Sequence, residues 1–240
     1  MTTTVVRPGR ERWGAGPDAV VLDLDGTLVD SVYQHVVAWQ EALAEIGVSV
    51  PAWRVHRRVG MSGAAFVDDL TREAGVVVDD VVLRRLSSAH AAALGRQCAP
   101  VGVLPGAKLL LAELSRIGLP WAVTTNGTLR FACPALELLG VPDAVLVCGD
   151  EVRRAPRASR TLDLVLVAAA RLHVPPASCI VVGDSVWDLL AARRAGAGAV
   201  GVLSGGYGRE ELERAGVSRV FDDASDLLAH LDEVGIRSRG

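Results

Sequence analysis

The sequence predicts an α/β protein with a parallel sheet, and three observations carry this prediction. Short Val-rich runs alternate with amphipathic helical segments from Gly106 onward, which is typical of βα units. One more apolar run of strand length stands near the N-terminus. Between these two regions the spacing is helical only. We therefore expect a disordered tail (1–17), an α/β core (18–31 and 103–240) and an α-helical cap inserted after the first strand (32–102).

Composition favours a globular protein that binds neither nucleic acid nor membrane. Half of the 240 residues are hydrophobic, so a sizeable core can be buried, and the formal net charge of −3 gives no tether for nucleic acid. The four cysteines are scattered, without the spacing of a zinc site or a secreted scaffold. No apolar run has transmembrane length, and the N-terminus lacks a signal-peptide core. We expect a cytoplasmic location.

The first strand, Val20–Leu22, leads directly into the residues around which the chain is organised. Asp23 and Asp25 stand two positions apart, so their side chains point to the same side, where an open α/β sheet places its ligands. Two close buried carboxylates need a cation or a shared proton, and Mg²⁺ bound by carboxylates, water and a phosphate is the common solution. Gly26 permits a sharp turn, and Thr27 offers a hydroxyl beside it.

Helices are predicted throughout the insert. After Asp30 and Ser31, a good N-cap pair, apolar residues recur every three or four positions and end at Gly47. Two further helices are expected, at 64–74 and 80–94.

The remaining chain alternates helix and strand, as βα units require. We expect strands at 121–125, 144–148, 179–182, 199–203 and 220–221, and helices at 107–117, 129–139, 162–172, 186–195 and 224–231.

Two of these strands end in polar residues. Thr125, Asn126 and Gly127 follow one strand, where a hydroxyl and an amide can donate to a phosphoryl oxygen. Asp184 follows another, and Asp188 lies one helical turn later. Asp188 has two interpretations, support of a metal ligand or a first-turn carboxylate that the helix dipole favours.

These motifs resemble those of the haloacid dehalogenase superfamily, in its phosphatase and phosphomutase branch. Asp23-x-Asp25-Gly-Thr-Leu-x-Asp-Ser is similar to the first motif, Thr125 to the second and Asp184 to the fourth. The resemblance implies a Rossmann-like core, a cap that selects the substrate, and Mg²⁺-dependent hydrolysis of a small phosphorylated metabolite by a monomer or weak homodimer. Asp23 would be the nucleophile that forms an aspartyl-phosphate, and Asp25 the general acid–base. Thr125 would join Asp23 and Asp25 as a catalytic residue that stabilises the phosphoryl oxygens. The implied metal ligands are Asp23, Asp25 and Asp184; the implied substrate contacts are Gly26, Thr27, His35, Asn126 and Gly127.

The third motif departs from this family. Members carry a lysine there that neutralises the nucleophile and the phosphate, and here Ser159 falls on that position. Because Lys108 is the only lysine of the chain, an arginine is the candidate substitute, and the alternative is that no residue replaces the lysine. Arg160 is our choice, ahead of Arg157 and Arg154.

Several alternatives stay open at this point. His35, one helical turn before Trp39, resembles the pattern of β-phosphoglucomutases and lies near the carboxylates, or else it is a surface residue. The basic run 54–58 either holds an anionic substrate or forms a solvated face. A sugar phosphomutase and a non-catalytic binder that lost its third motif are the rival functions. A dehalogenase is disfavoured, because that branch lacks the carboxylate that Asp25 supplies.

Overall fold

A computed structural model of the chain describes residues 16–61, 63–73, 75–97, 101–152 and 160–237. Within these residues the strands are β1 (Ala19–Asp23), β2 (Val29–Asp30), β3 (Gly102–Val103), β4 (Trp121–Thr125), β5 (Val145–Cys148), β6 (Cys179–Gly183), β7 (Gly198–Val202) and β8 (Arg219–Phe221). The main sheet is parallel, with the order β5-β4-β1-β6-β7-β8. The first strand of the chain thus lies inside the sheet, between β4 and β6.

The position of β1 follows from its composition. All five of its residues are buried, as a parallel strand covered on both faces requires. Val20 and Leu22 join the core on one face of the sheet, while Ala19 and Val21 join the core on the other.

Helices cover both faces of the sheet. The described helices are α1 (Val32–Ala44), α2 (Ala52–His56), α3 (Gly63–Glu73), α4 (Asp80–Gln97), α5 (Ala107–Arg116), α6 (Leu129–Leu139), α7 (Gly149–Val152), α8 (Arg160–Arg171), α9 (Val186–Ala195), α10 (Arg209–Ala215) and α11 (Ala224–Ala229). Helices α5, α6 and α11 pack on one face, and α8, α9 and α10 on the other. The molecule therefore has a three-layer core.

Helices α1 to α4 form an insert with its own hydrophobic core. Trp39, Leu43, Phe66, Leu70 and Leu86 are buried together in it. The chain enters the insert after β2 and leaves it at β3. These two strands form a separate antiparallel pair, with Val29 opposite Val103 and Asp30 opposite Gly102.

The α/β prediction is confirmed, and most predicted bounds lie within a residue or two of the observed ones. The strand at 121–125 and the helices at 129–139 and 186–195 have the expected bounds. The pair β2–β3 and the helices α2, α7 and α10 were not predicted, because segments this short carry too little periodicity to recognise. The division into tail, core and cap stays a prediction, and residues 1–15 of the tail lie outside the described residues. None of the helices in the described ranges is both long and apolar enough to span a bilayer.

Candidate active site

Three neighbouring strands of the sheet deliver their polar residues to one edge. Asp23 ends β1, Thr125 ends β4, and Asp184 follows β6, so parallel pairing of these strands brings the three residues together. A cavity of about 70 Å³ lies there between the sheet and the insert. The residues that line it are Asp23, Asp25, His35, Trp39, Val59, Gly60, Met61, Phe66, His90, Asn126, Gly127, Asp184, Ser185 and Asp188.

An acidic cluster forms the floor of this cavity. One carboxylate oxygen each from Asp23, Asp184 and Asp188 lies within 4.8 Å of the others, and all three residues are buried. Burial raises the pKa of Asp23, and the charges of Asp188, Asp184 and Asp25 raise it further. Burial and Asp188 likewise raise the pKa of Asp184. Three buried carboxylates that suppress one another's ionisation fit a divalent cation with oxygen ligands.

Asp184 is fixed in place by its neighbours. Its Oδ1 accepts a hydrogen bond of 3.2 Å from the fully buried hydroxyl of Thr27. A Cβ at Gly26 would lie 2.6 Å from Asp184 Oδ2, and Gly26 has φ +83°, which favours glycine. A Cβ at Gly205 would overlap the same carboxylate. Thr27 thus supports Asp184 rather than lining the cavity, and two glycines leave Asp184 the space it needs.

Asp188 has both of the functions considered from the sequence. It forms a capping box with Ser185 at the start of α9, and it belongs to the acidic cluster. Burial raises its pKa to about 6, although hydrogen bonds from Ser185 oppose the increase. The predicted metal set named Asp25 where the geometry groups Asp188 with Asp23 and Asp184.

The carboxylate of Asp25 is not one of these three and is held by three other side chains. Ser31 Oγ donates to Oδ1 over 2.6 Å, and Thr125 Oγ1 donates to Oδ2 over 2.7 Å. His35 Nε2 lies 3.1 Å from Oδ1. Burial alone would raise the pKa of Asp25, but these partners, His35 above all, outweigh it and lower the pKa.

Two of these contacts differ from the sequence-based interpretation. Ser31 directly precedes α1, but its side chain makes no capping bond; its hydroxyl is used by Asp25 instead. The hydroxyl proton of Thr125 is likewise directed to Asp25, while its oxygen accepts from Gly127 N over 2.9 Å. The sequence contained one indication of this role for Ser31, because the serine belongs to the Asp-Ser pair that ends the first motif.

His35 is buried at the site rather than exposed on the surface of α1. Its Nδ1 lies 3.1 Å from Nε2 of His90, a residue of α4 that the sequence did not single out. The His90 ring stacks on Trp39 with centroids 4.1 Å apart. A chain of contacts therefore runs from Asp25 through two imidazoles into the insert.

A strap of residues 56–60, which runs from the last residue of α2 towards α3, borders the cavity and is bonded to the core. Asn126 Nδ2 donates to Gly60 O over 2.8 Å, so the predicted substrate-binding amide holds the strap. The carbonyl of Arg57 accepts from Trp187 Nε1 over 2.9 Å and from Tyr207 Oη over 2.8 Å. His56 Nε2 lies 2.8 Å from Gly205 O, beside Asp184. The strap is thus bonded to the loops that follow β4 and β7 and to Trp187, which lies between Asp184 and Asp188 of the acidic cluster.

The arginines of the basic run 54–58 form ion pairs with carboxylates of the protein. Arg54 contacts Glu73 at 3.0 Å, Arg58 pairs with Asp69 and Glu73, and Arg57 pairs with Glu211 of the core. Among the described contacts these arginines therefore serve the insert and its attachment. The side chain of Arg160, and Arg154, Arg157 and Ser159, lie outside what the structure describes, so the choice of arginine stays a prediction.

The fold and the site together define a class of protein. An acidic cluster with perturbed pKa values at the carboxyl edge of a parallel sheet, roofed by inserted helices, is where an α/β enzyme places its active site. The sequence model of the haloacid dehalogenase-like hydrolases matches residues 17–196, and the chain belongs to this family.

Two similar proteins within this range of sequences are named as phosphatases. The chain is 34% identical over 199 residues to a phosphoglycolate phosphatase of Xanthomonas campestris pv. campestris (79% of this chain, 84% of the relative). It is 32% identical over 187 residues to an N-acetylmuramic acid 6-phosphate phosphatase of Pseudomonas putida (74% and 79%).

Solved structures show the same fold. A hydrolase from Pseudomonas syringae has a TM-score of 0.85 and 43% identity, with 91% of this chain and 99% of that chain covered. A β-phosphoglucomutase from Clostridium difficile has a TM-score of 0.75 at 19% identity (91% and 97%), which bears on the fold alone.

Proposed function

We propose that this hydrolase is a Mg²⁺-dependent phosphatase that cleaves a small phosphate monoester through an aspartyl-phosphate on Asp23. One observation carries the proposal: two carboxylates two residues apart share one cavity but have opposite environments. Asp23 belongs to the acidic cluster, whereas Asp25 is held by Ser31, His35 and Thr125. Two neighbouring carboxylates in different environments can take different roles. The cation that the cluster would hold favours the ionised form of Asp23, as a nucleophile requires.

The acidic cluster fits Mg²⁺. Asp23, Asp184 and Asp188 would hold it, because oxygen ligands in a buried anionic setting are those that this ion prefers. When bound, Mg²⁺ supplies positive charge that favours ionised Asp23 and offsets the charge of the phosphoryl oxygens.

The chain's own residues then divide the reaction. Asp23 attacks phosphorus and forms the P–O bond as the bond to the leaving oxygen breaks. Asp25, positioned by its three donors, gives a proton to that oxygen and later removes one from the attacking water. The insert lies above them, and Asp23 is 9% exposed, so the access of bulk water is limited.

The cavity favours hydrolysis of a small ester over the phosphomutase alternative. A mutase must enclose a sugar ring together with two phosphoryl groups. About 70 Å³ is little room for that, and pockets for larger ligands usually measure about 300 Å³ or more.

Trapping the phosphorylated enzyme tests the proposal. Wild-type protein, Asp23→Asn and Asp25→Ala are mixed with Mg²⁺ and p-nitrophenyl phosphate, quenched in acid and analysed by peptide mass spectrometry. Because p-nitrophenolate leaves without an acid, Asp25→Ala should accumulate phosphate on Asp23, while Asp23→Asn should give neither label nor turnover. Asp18→Asn, at the opposite end of β1, is the matched control and should behave as wild type. Label on another residue, or turnover by Asp23→Asn above about one per cent of wild type, would refute the nucleophile assignment.

A further inference from the structure

The roof of the cavity indicates what the phosphoryl group is attached to. We infer that the remainder of the substrate is small and uncharged, an inference that rests on the proposed function of the same site. The argument concerns the described residues that face the acidic floor from the insert.

Apolar side chains make up most of this roof. Trp39 and Phe66 pack with ring centroids 4.4 Å apart, and Val59 and Met61 from the strap region line the cavity beside them. Phe66 is 2% exposed, so it is part of the core of the insert and does not move aside freely. A carboxylate pressed against these groups would lose its hydration without a compensating partner.

The positive charges close to the roof are engaged by protein carboxylates. Arg58 is held between Asp69 and Glu73, which raises its pKa although burial opposes this. Arg57 pairs with Glu211, and its guanidinium lies 4.7 Å from the centre of the Tyr207 ring. An anionic substrate tail could recruit either arginine only by breaking contacts that join the strap to α3 or to the core.

The polar residue on the roof, His90, is engaged in the chain to Asp25. His35 Nε2 lies 3.1 Å from Asp25 Oδ1, and His35 Nδ1 lies 3.1 Å from His90 Nε2, so both imidazoles are engaged by protein groups. Among the described residues of the roof, the side chains left to face the substrate's tail are therefore mainly apolar and aromatic.

The size of the cavity supports the inference that the remainder of the substrate is small. The cavity measures about 70 Å³, whereas pockets for drug-sized ligands usually measure about 300 Å³ or more. A phosphoryl group takes part of that space, so little room is left for the rest of the substrate while the strap is in this position. The inferred substrate thus differs from phosphoglycolate, which is small but carries a carboxylate, and from a sugar phosphate, which is large.

Binding of non-hydrolysable phosphonates tests the inference separately from turnover. Calorimetry with wild-type protein and Mg²⁺ would compare (2-carboxyethyl)phosphonate with its neutral amide, two molecules of nearly equal shape, and with n-butylphosphonate. We expect both neutral compounds to bind at least about tenfold more tightly than the carboxylate. Equal or tighter binding of the carboxylate overturns the inference, and so does failure of all three to bind. Tight binding of the neutral compounds without hydrolysis of their phosphate-ester counterparts would instead refute the phosphatase and leave the ligand class standing.

A change of roof charge provides the matched variant. Met61→Lys places a cation at the half-buried roof position, and Met61→Gln places a neutral group of similar size there. We expect Met61→Lys to reduce the preference for the neutral amide to about threefold or less, and Met61→Gln to keep it. An unchanged preference in Met61→Lys, with the protein folded by circular dichroism, would mean that the roof does not contact the substrate's tail and would overturn the inference.

Discussion

At the scale of single residues, the site depends on how differently two neighbouring aspartates are treated. Among the side chains that lower the pKa of Asp25, His35 has the largest effect, ahead of Ser31 and Thr125. Asp23 instead faces like charges, which raise its pKa. The protein thus separates an acid–base group from a nucleophile by choosing what each carboxylate contacts.

Removal of His35 should therefore damage the acid–base step selectively. In His35→Phe we expect the pKa of Asp25 to rise, because its largest favourable partner is lost, and the basic limb of the kcat/KM profile, where the acid loses its proton, to move to higher pH. The kcat for an alkyl phosphate should fall by about 10²-fold, with a smaller change for p-nitrophenyl phosphate. Steady-state kinetics across pH measure this. His230→Phe is the control, because His230 is exposed and directly follows α11. Equal losses of activity for both esters would contradict the role given to His35.

A second prediction concerns the missing lysine. If Arg160 replaces it, Arg160→Ala alone should lower kcat/KM by about 10²–10³-fold, by analogy with the loss of one preorganised donor. Arg154→Ala and Arg157→Ala are the matched comparisons in the same segment. Kinetics of the three variants and of Ser159→Lys decide the point. Activity that survives all three losses and rises strongly in Ser159→Lys would show that no arginine performs this task.

At the scale of elements, the strap joins the insert to the loops after β4 and β7 and to the start of α9. Its Arg57 carbonyl accepts from two core residues, Trp187 and Tyr207, and Trp187 lies inside the motif between Asp184 and Asp188. Burial raises the pKa of Tyr207 to about 12, so its hydroxyl remains a donor at any usual assay pH. Closure of the roof is thereby mechanically connected to α9.

Because Trp187 and Tyr207 donate to the same Arg57 carbonyl, we expect either donor to compensate partly for loss of the other. Trp187→Phe and Tyr207→Phe each leave the Arg57 carbonyl with one partner, so each single change should have a modest effect on KM. The double variant leaves a half-buried carbonyl without either donor, and we expect a more than additive loss of kcat/KM. Trypsin cleavage after Arg57 and Arg58 should accelerate in parallel. Trp53→Phe, which is 63% exposed, is the control; strictly additive effects would argue against a shared acceptor.

The elements differ in how well the sequence predicts them. β1 and α9 were placed correctly because their apolar runs and caps are local signals. The same local signals led to Asp23, Asp25 and Asp184. His90 could not be found this way, since its contact with His35 spans 55 positions and depends on how α4 packs on α1. Ser31 was assigned to a helix cap because that is the commoner use of a serine at such a position.

At the scale of the whole molecule, the acidic cluster makes stability depend on pH and metal. The pKa values of Asp23, Asp184 and Asp188 are raised in the folded state, that of Asp188 to about 6. The folded protein therefore binds more protons than the unfolded chain. Without metal, this contribution to the free energy of unfolding is present below about pH 4 and is lost as the pH rises through about 6.

Metal removal should expose this dependence. In EDTA we expect the melting temperature to fall between pH 5 and pH 7.5, and Mg²⁺ to restore it at pH 7.5 by binding the folded state. Asp188→Asn should melt higher than wild type in EDTA at pH 7.5, because one repelling charge is gone, and should respond less to Mg²⁺. Differential scanning fluorimetry measures all three effects. A full Mg²⁺ response in Asp188→Asn would remove that residue from the ligand set.

The paired strands β2 and β3 have a consequence for how such a protein can change over generations. Because Val29 lies opposite Val103 and Asp30 opposite Gly102, the chain leaves the sheet and returns to it at a single point. The segment between β2 and β3 is therefore an insertion whose two ends are joined by hydrogen bonds. Helices can be added there, shortened or exchanged for others without rerouting a strand or moving a carboxylate. The residues that break the phosphate ester and those that select it can thus be inherited as two separate units, each free to vary at its own rate.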